Sequence, residues 1–210
     1  MANSCENNLS IMGKKKDIFE FFKVVGFDGS KPLEDFLENV EITLRSWLPI
    51  PDTFKFDTVN DKRAQNVNET DDEYKEYSNK YDAEVKYQKE TYGVVGCREY
   101  NIKTLGCKCD VQINDFGTTC QYGGENAYLN FSFFTPWSPP DAWLKTLIKE
   151  YPNLSFDLDA IIPDDEIAYH LVGSNGKIDL EFTDEYVSED DEDDDYYYDE
   201  DENEEEEVLN

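Results

Sequence analysis

Residues 128–160 read YLNFSFFTPWSPPDAWLKTLIKEYPNLSFDLDA, and their patterning decides the fold. Between Tyr128 and Phe134, the apolar residues Leu129, Phe131 and Phe133 fall on every second position. That is the period of a strand with one buried side. Ser138 then offers an N-cap, Pro139 the first helical position and Asp141 an acid for the first turn. Trp143, Leu144, Leu147, Ile148 and Tyr151 recur at helical steps, and Pro152 closes the helix. Leu154, Phe156, Leu158 and Ala160 alternate with Ser155, Asp157 and Asp159, a second half-buried strand. The segment is a strand, a helix and a strand that share one apolar side.

The pattern extends in both directions. Upstream, Asn8–Met12 reads as a strand with Leu9 and Ile11 on one face. Ile18, Phe19, Phe22 and Val25 then mark a helix that Gly26 stops. Val111 and Ile113 alternate as a strand, and Gly117 and Gly123-Gly124 mark turns. Downstream, Pro163-Asp164-Asp165 is turn chemistry. Ile167, Tyr169 and Leu171 form one arm of a hairpin, Asn175-Gly176 its turn, and Ile178, Leu180 and Phe182 its second arm. The expected order is β-α-insertion-β-β-α-β plus a terminal hairpin. This predicts an α+β fold of ferredoxin-like (split βαβ) type, a mainly antiparallel sheet with two helices on one face. Its core residues are Leu9, Ile11, Leu129, Phe131, Phe133, Leu154, Phe156, Leu158, Tyr169 and Leu171.

The insertion covers about residues 27–98. Pro32 precedes a short helix through Leu33, Phe36, Leu37 and Val40. Leu48-Pro-Ile-Pro-Asp52 breaks any helix, and Val59–Asn68 reads as a polar loop. Thr70-Asp-Asp-Glu73 is a capping box that opens a helix ending at Gly93. Its stripe of Tyr74, Tyr77, Tyr81, Val85 and Gln88 reads as a buried amphipathic face rather than a stacking platform.

The chain of 210 residues carries a formal net charge of −30. Residues 184–210 hold 17 acids and no base, leaving 32 acids against 19 bases in residues 1–183. A domain over 1–183 followed by a disordered acidic tail is expected, because the tail has too little apolar surface to offset its ordering entropy. Such acidity argues against direct binding to a nucleic-acid backbone, which needs clustered Lys and Arg. The run Lys14-Lys15-Lys16 reads as a solvated helix start. No apolar stretch reaches membrane-spanning length, and the opening MANSCENN lacks the marks of a signal peptide. An intracellular setting, in the cytoplasm or nucleus of a host cell, is the expectation, with thiols rather than disulfides.

Four patches carry a resemblance. They are MANSCENNLSIMG (1–13), Leu48–Asp52, Tyr100–Gly106 before Lys108 and Asp110, and Phe131–Pro140 followed by Trp143 and Tyr151-Pro152. In this order they are similar to the YubB-like proteins, a family of phages, plasmids and large DNA viruses. The resemblance spans most of residues 1–180, and the Trp-Ser-Pro-Pro run is its most specific part. Ser4 stands where the family has Trp, and Cys107 and Cys109 stand where it usually has Thr and Trp. The resemblance implies a ferredoxin-like domain and origin in a virus or mobile element. It implies no chemistry.

The residues themselves name no catalytic group. Cys97, Cys107, Cys109 and Cys120 give one C-x-C and two distant singles, without paired C-x2-C knuckles. They read as buried, inert thiols. His170 is the only histidine; it is out of phase with Tyr169 and Leu171, which puts it on the opposite sheet face. No nucleophile elbow, P-loop or Rossmann glycine pattern occurs. No metal and no cofactor are expected. The binding candidates are Lys108, Asp110, Trp137 and Trp143, flanking a crevice between segment 97–110 and the corner at Trp137. The leading expectation is a non-enzymatic protein-interaction module whose acidic tail engages a basic partner. The alternatives are an enzyme of nucleic-acid or nucleotide metabolism, built on Lys108 and Asp110, and a DNA mimic that inhibits a host DNA-binding protein.

Overall fold

The structure, a computed structural model, describes residues 3–55 and 62–186. Six strands form one antiparallel sheet in the order β2-β3-β1-β4-β5-β6. They are β1 (Ser4–Lys14), β2 (Gly117–Gly123), β3 (Asn126–Pro136), β4 (Ser155–Ile162), β5 (Ile167–Ser174) and β6 (Lys177–Glu185). The helices are α1 (Lys15–Lys23), α2 (Leu33–Asn39), α3 (Asp52–Lys55), α4 (Asp71–Tyr92), α5 (Gly96–Leu105) and α6 (Asp141–Glu150).

The alternation seen in the sequence sets the register. Leu9 stands between Phe131 and Leu158, and Ile11 between Leu129 and Phe156. All six are fully buried. Of the ten expected core residues, Tyr169 alone is half-buried. Ile18, Phe21 and Phe22 of α1 and Trp143, Leu144, Leu147 and Ile148 of α6 join these strand residues in one core, to which the insertion adds Leu33, Leu37, Ile42, Leu44 and Trp47. Both helices therefore cover the same sheet face.

Two glycines allow a helix to approach its neighbour closely. A Cβ on Gly173 of β5 would lie 2.5, 2.8 and 2.9 Å from Cδ1, Cγ1 and Cγ2 of Ile148, so α6 rests directly on the β5 backbone. Gly106 ends α5 with φ 90°, and a Cβ there would lie 2.2 Å from Asp141 Oδ1 and 2.8 Å from Asp141 N. The end of α5 thus abuts the start of α6.

The structure departs from the sequence expectation in several places. The second strand is β2, not Val111–Ile113. Those residues make an isolated bridge to the insertion, where the Leu44 N–H donates to Val111 O (3.2 Å) and the Ile113 N–H to Ile42 O (2.8 Å). The Asn114 side chain fixes the crossing by donating to the carbonyls of Leu37 (2.6 Å) and Val40 (2.7 Å). Helix α6 begins at Asp141, and Ser138 Oγ donates to Gly106 O (2.8 Å) instead of capping it. Helix α5 was not expected, since its buried residues Gly96, Asn101 and Leu105 show no apolar period.

The tyrosine stripe of α4 is half-buried rather than core: Tyr74, Tyr77 and Tyr81 are roofed by Arg63, 4.0 Å from the Tyr77 ring, and Lys62. The expected boundary at 183/184 falls inside β6, and the Tyr186 N–H still donates to Glu166 O (2.7 Å). Disorder was expected over residues 184–210; 187–210 lie outside the described residues. Among the described residues no helix is long and apolar enough to cross a membrane.

Candidate functional site

The four binding candidates do not form one site. Trp143 is fully buried, and its Nε1–H donates to Leu44 O (3.0 Å) while its ring packs edge-on against Trp47. It anchors the insertion to α6 and is unavailable to a ligand. Trp137 is 44% exposed at the end of β3, held at φ 74°. Lys108 lies over its ring, 3.6 Å from the centroid, a cation–π contact that engages both side chains. Asp110 Oδ1 accepts the Arg45 backbone N–H (3.0 Å). Lys108 and Asp110 are thus engaged with different partners, Trp137 and Arg45.

The cysteines do not converge either. Cys5 and Cys107 are buried, Cys97 and Cys120 half-buried, and Cys109 is exposed, contrary to the expectation of uniformly buried thiols. Burial pushes the Cys5 thiol up to about 11 and the Cys107 thiol up to about 12. A shallow cavity of about 290 Å³ lies where β1 meets α1, lined by Lys14, Lys16, Asp17, Asn153, Ser155 and Asn175. It uses the basic run and contains none of the expected site residues.

The sheet face left uncovered among the described residues is the more informative surface. One row across it reads Ser132, Asn8, Asp159, His170 and Phe182; the next reads Asn130, Ser10, Asp157, Val172 and Leu180. The centre is polar and internally bonded: Ser132 Oγ donates to Asn8 Oδ1 (2.7 Å) and Asn130 Nδ2 to Ser10 Oγ (3.3 Å). Exposed apolar groups flank it, Phe134 with Phe116 packed edge-on at 4.9 Å on one side and Leu180 with Phe182 on the other. Glu6 and Asp184 fall on the same face by register. The six strands carry no arginine, and their two lysines, Lys14 and Lys177, each stand at a strand end.

On this face Asp157, Asp159 and His170 come together. Strand alternation puts the two aspartates on one side of β4, and pairing puts His170 opposite Asp159. His170 Nδ1 is hydrogen-bonded to Asp159 Oδ1, and its Nε2 stands 3.7 Å from Asp157 Oδ1. Asp157 Oδ1 is shielded from solvent without a hydrogen-bond partner, and burial raises the Asp157 carboxyl above its ordinary range. The Phe182 ring lies 5.4 Å from the imidazole. Among the described residues this trio is the group whose ligand atoms are close enough to share a metal ion, all within 4.8 Å of one another. The sequence placed His170 on the correct face but missed its neighbours, which only the β4–β5 register identifies.

No family model matches this chain, and no curated protein matches it. Among solved structures, it is similar to a crystal structure of the protein api92 from Yersinia pseudotuberculosis, assigned to the family model DUF1281, at 10% identity, over 90% of this chain and 99% of that one, with a TM-score of 0.44.

Proposed function

We propose that the chain is a non-enzymatic interaction module that presents the uncovered face of its sheet to a basic protein segment. The observation that carries this is the composition of that face. It combines Glu6, Asp157, Asp159 and Asp184 with exposed Phe134, Leu180 and Phe182, while lysine is confined to two strand ends. Acids steer a basic segment, and exposed aromatic rings supply desolvated anchors. The acidic run of residues 187–210 adds to the same attraction by its charge.

A finer reading of the fold accompanies this proposal. The order β2-β3-β1-β4, with α1 and α6 on one side, supports a ferredoxin-like arrangement extended by the β5–β6 hairpin. The four ordered sequence patches support a YubB-like origin in a virus or mobile element.

Fluorescence anisotropy of a synthetic peptide alternating lysine and phenylalanine tests the docking surface. The probe is titrated with the full chain, with the Phe134→Ser/Phe182→Ser variant and with a chain ending at Tyr186. The face variant is expected to bind at least about tenfold more weakly, and the shortened chain to lose mainly the salt-sensitive part. If the face variant binds like the full chain while the shortened chain does not bind, the acidic run is the docking element and the proposal fails.

A further inference from the structure

His170 offers two ring nitrogens, and the structure treats them differently. Nδ1 is taken by Asp159 across the β4–β5 pairing, a contact that fixes the plane of the imidazole and leaves Nε2 as the free ligand atom. Nε2 faces Asp157 Oδ1 at 3.7 Å, too far for a hydrogen bond. That gap matches two donors held by one ion, since zinc bonds to imidazole nitrogen and carboxylate oxygen are each about 2.0–2.2 Å.

Three further features favour an ion there. Asp157 Oδ1 is shielded from water with no hydrogen-bond partner, a costly state for a carboxylate oxygen that a cation relieves. No lysine or arginine stands in the central rows to neutralise the two aspartates. Phe182, opposite His170 on β6, closes one side of the imidazole and limits its rotation. A carboxylate that orients a histidine whose other nitrogen ligates is a recurrent support for metal sites.

We propose that His170 Nε2 and Asp157 bind one divalent transition-metal ion of the zinc class, with Asp159 as the positioning residue. The remaining coordination positions face the uncovered side of the sheet, where water completes the sphere. The imidazole donor favours zinc-class ions over magnesium and calcium, which prefer oxygen-only sites. The site shares Asp157, Asp159 and Phe182 with the docking face, but it rests on the placement of the ligand atoms and is tested with the metal alone.

The single histidine makes the test direct. Imidazole NMR signals of the full chain are followed as Zn2+ is added, because neither the five cysteines nor the acidic run contributes to them. The expected result is a shift of the His170 signals that saturates at one equivalent, with Mg2+ producing none. Asp157→Asn should weaken Zn2+ binding by at least about tenfold. Asp159→Asn should weaken it by about 10–100-fold, the usual effect of removing an orienting carboxylate. Total Zn2+ bound at that affinity, measured by equilibrium dialysis, should fall by one equivalent in His170→Gln. All three positions are at least partly exposed, and a thermal melt of each variant checks that it folds. Imidazole signals that stay unmoved at ten equivalents of Zn2+, or that shift equally in Asp157→Asn, overturn the proposal. The trio is then a hydrogen-bonded cluster on the sheet surface and holds no ion.

Discussion

Gly173→Ala tests the contact between α6 and the sheet. The new Cβ would sit 2.5–2.9 Å from three atoms of Ile148, whereas comfortable carbon–carbon contact is about 3.5–4.0 Å. Two of those atoms are attached to the Ile148 Cβ, and a β-branched side chain on a helix has one strongly preferred χ1, so rotation does not clear them. The helix or the strand must move by about 1 Å. Overpacking of this kind costs about 1–3 kcal/mol, and replacing glycine in a strand returns about 0.5–1 kcal/mol of backbone entropy. The net expectation is a loss of about 1–2 kcal/mol.

Ile148→Ala alone should cost about 2–5 kcal/mol by leaving a cavity. It also removes all three clashing atoms, so the double variant should be more stable than the sum of the two losses implies, by about 1–2 kcal/mol. Urea unfolding of the four proteins, with unchanged m, measures this. Strict additivity, or a Gly173→Ala variant as stable as the parent, would show that α6 does not rest on β5 at this point.

Gly106→Ala should be the more damaging glycine substitution, by about 2–5 kcal/mol, because its φ of 90° opposes a side chain and the clash is partly with the α6 backbone; a melting temperature above that of Gly173→Ala contradicts this. Brief alkylation of the native protein at pH 8, read by mass spectrometry, should label exposed Cys109 and spare Cys5 and Cys107, whose thiols burial holds near 11 and 12. Equal labelling of all three would contradict their burial. The Glu181 carboxyl is held below its ordinary range by hydrogen bonds from Lys145 (2.6 Å) and Tyr169 (3.0 Å). A depressed folded-state value stabilises fully above about pH 4.5 and loses that effect as pH falls through the folded value. Glu181→Gln should therefore lower stability at neutral pH and flatten the acid limb of the stability profile, and an unchanged acid limb would show that the Lys145 contact contributes nothing.

The strands and α6 were legible because a sheet covered on one side repeats its apolar residues every two positions, as Leu9/Ile11 and Phe156/Leu158 do. The insertion was less legible because polar side chains as well as core residues tie its elements. Asn114 holds the end of α2, and half-buried Arg45 donates to Leu48 O (3.0 Å) and Thr104 Oγ1 (2.9 Å). Neither leaves a periodic trace. Buried Asn7 is a similar case: its Nδ2 reaches Cys5 O (3.0 Å) and Thr135 Oγ1 (2.9 Å), bracing the strand end beside the Trp137 corner. The trio at His170 was hidden for another reason. Asp157 and Asp159 look like the solvated half of an alternating strand, and only pairing between β4 and β5 gives them a histidine.

An open sheet leaves a row of unpaired peptide groups along each outer strand, a template on which another chain can add. The two outer strands differ in what guards that row. β2 carries no charged side chain between Gly117 and Gly123. β6 carries Asp179, Glu181, Asp184 and Glu185, all exposed, against the single base Lys177. Two β6 strands meeting antiparallel would bring this surplus of like charge together, an arrangement that weakens strand pairing. The β6 border thus repels its own duplicate, yet it can accept an extended segment bearing lysine or arginine as a seventh strand.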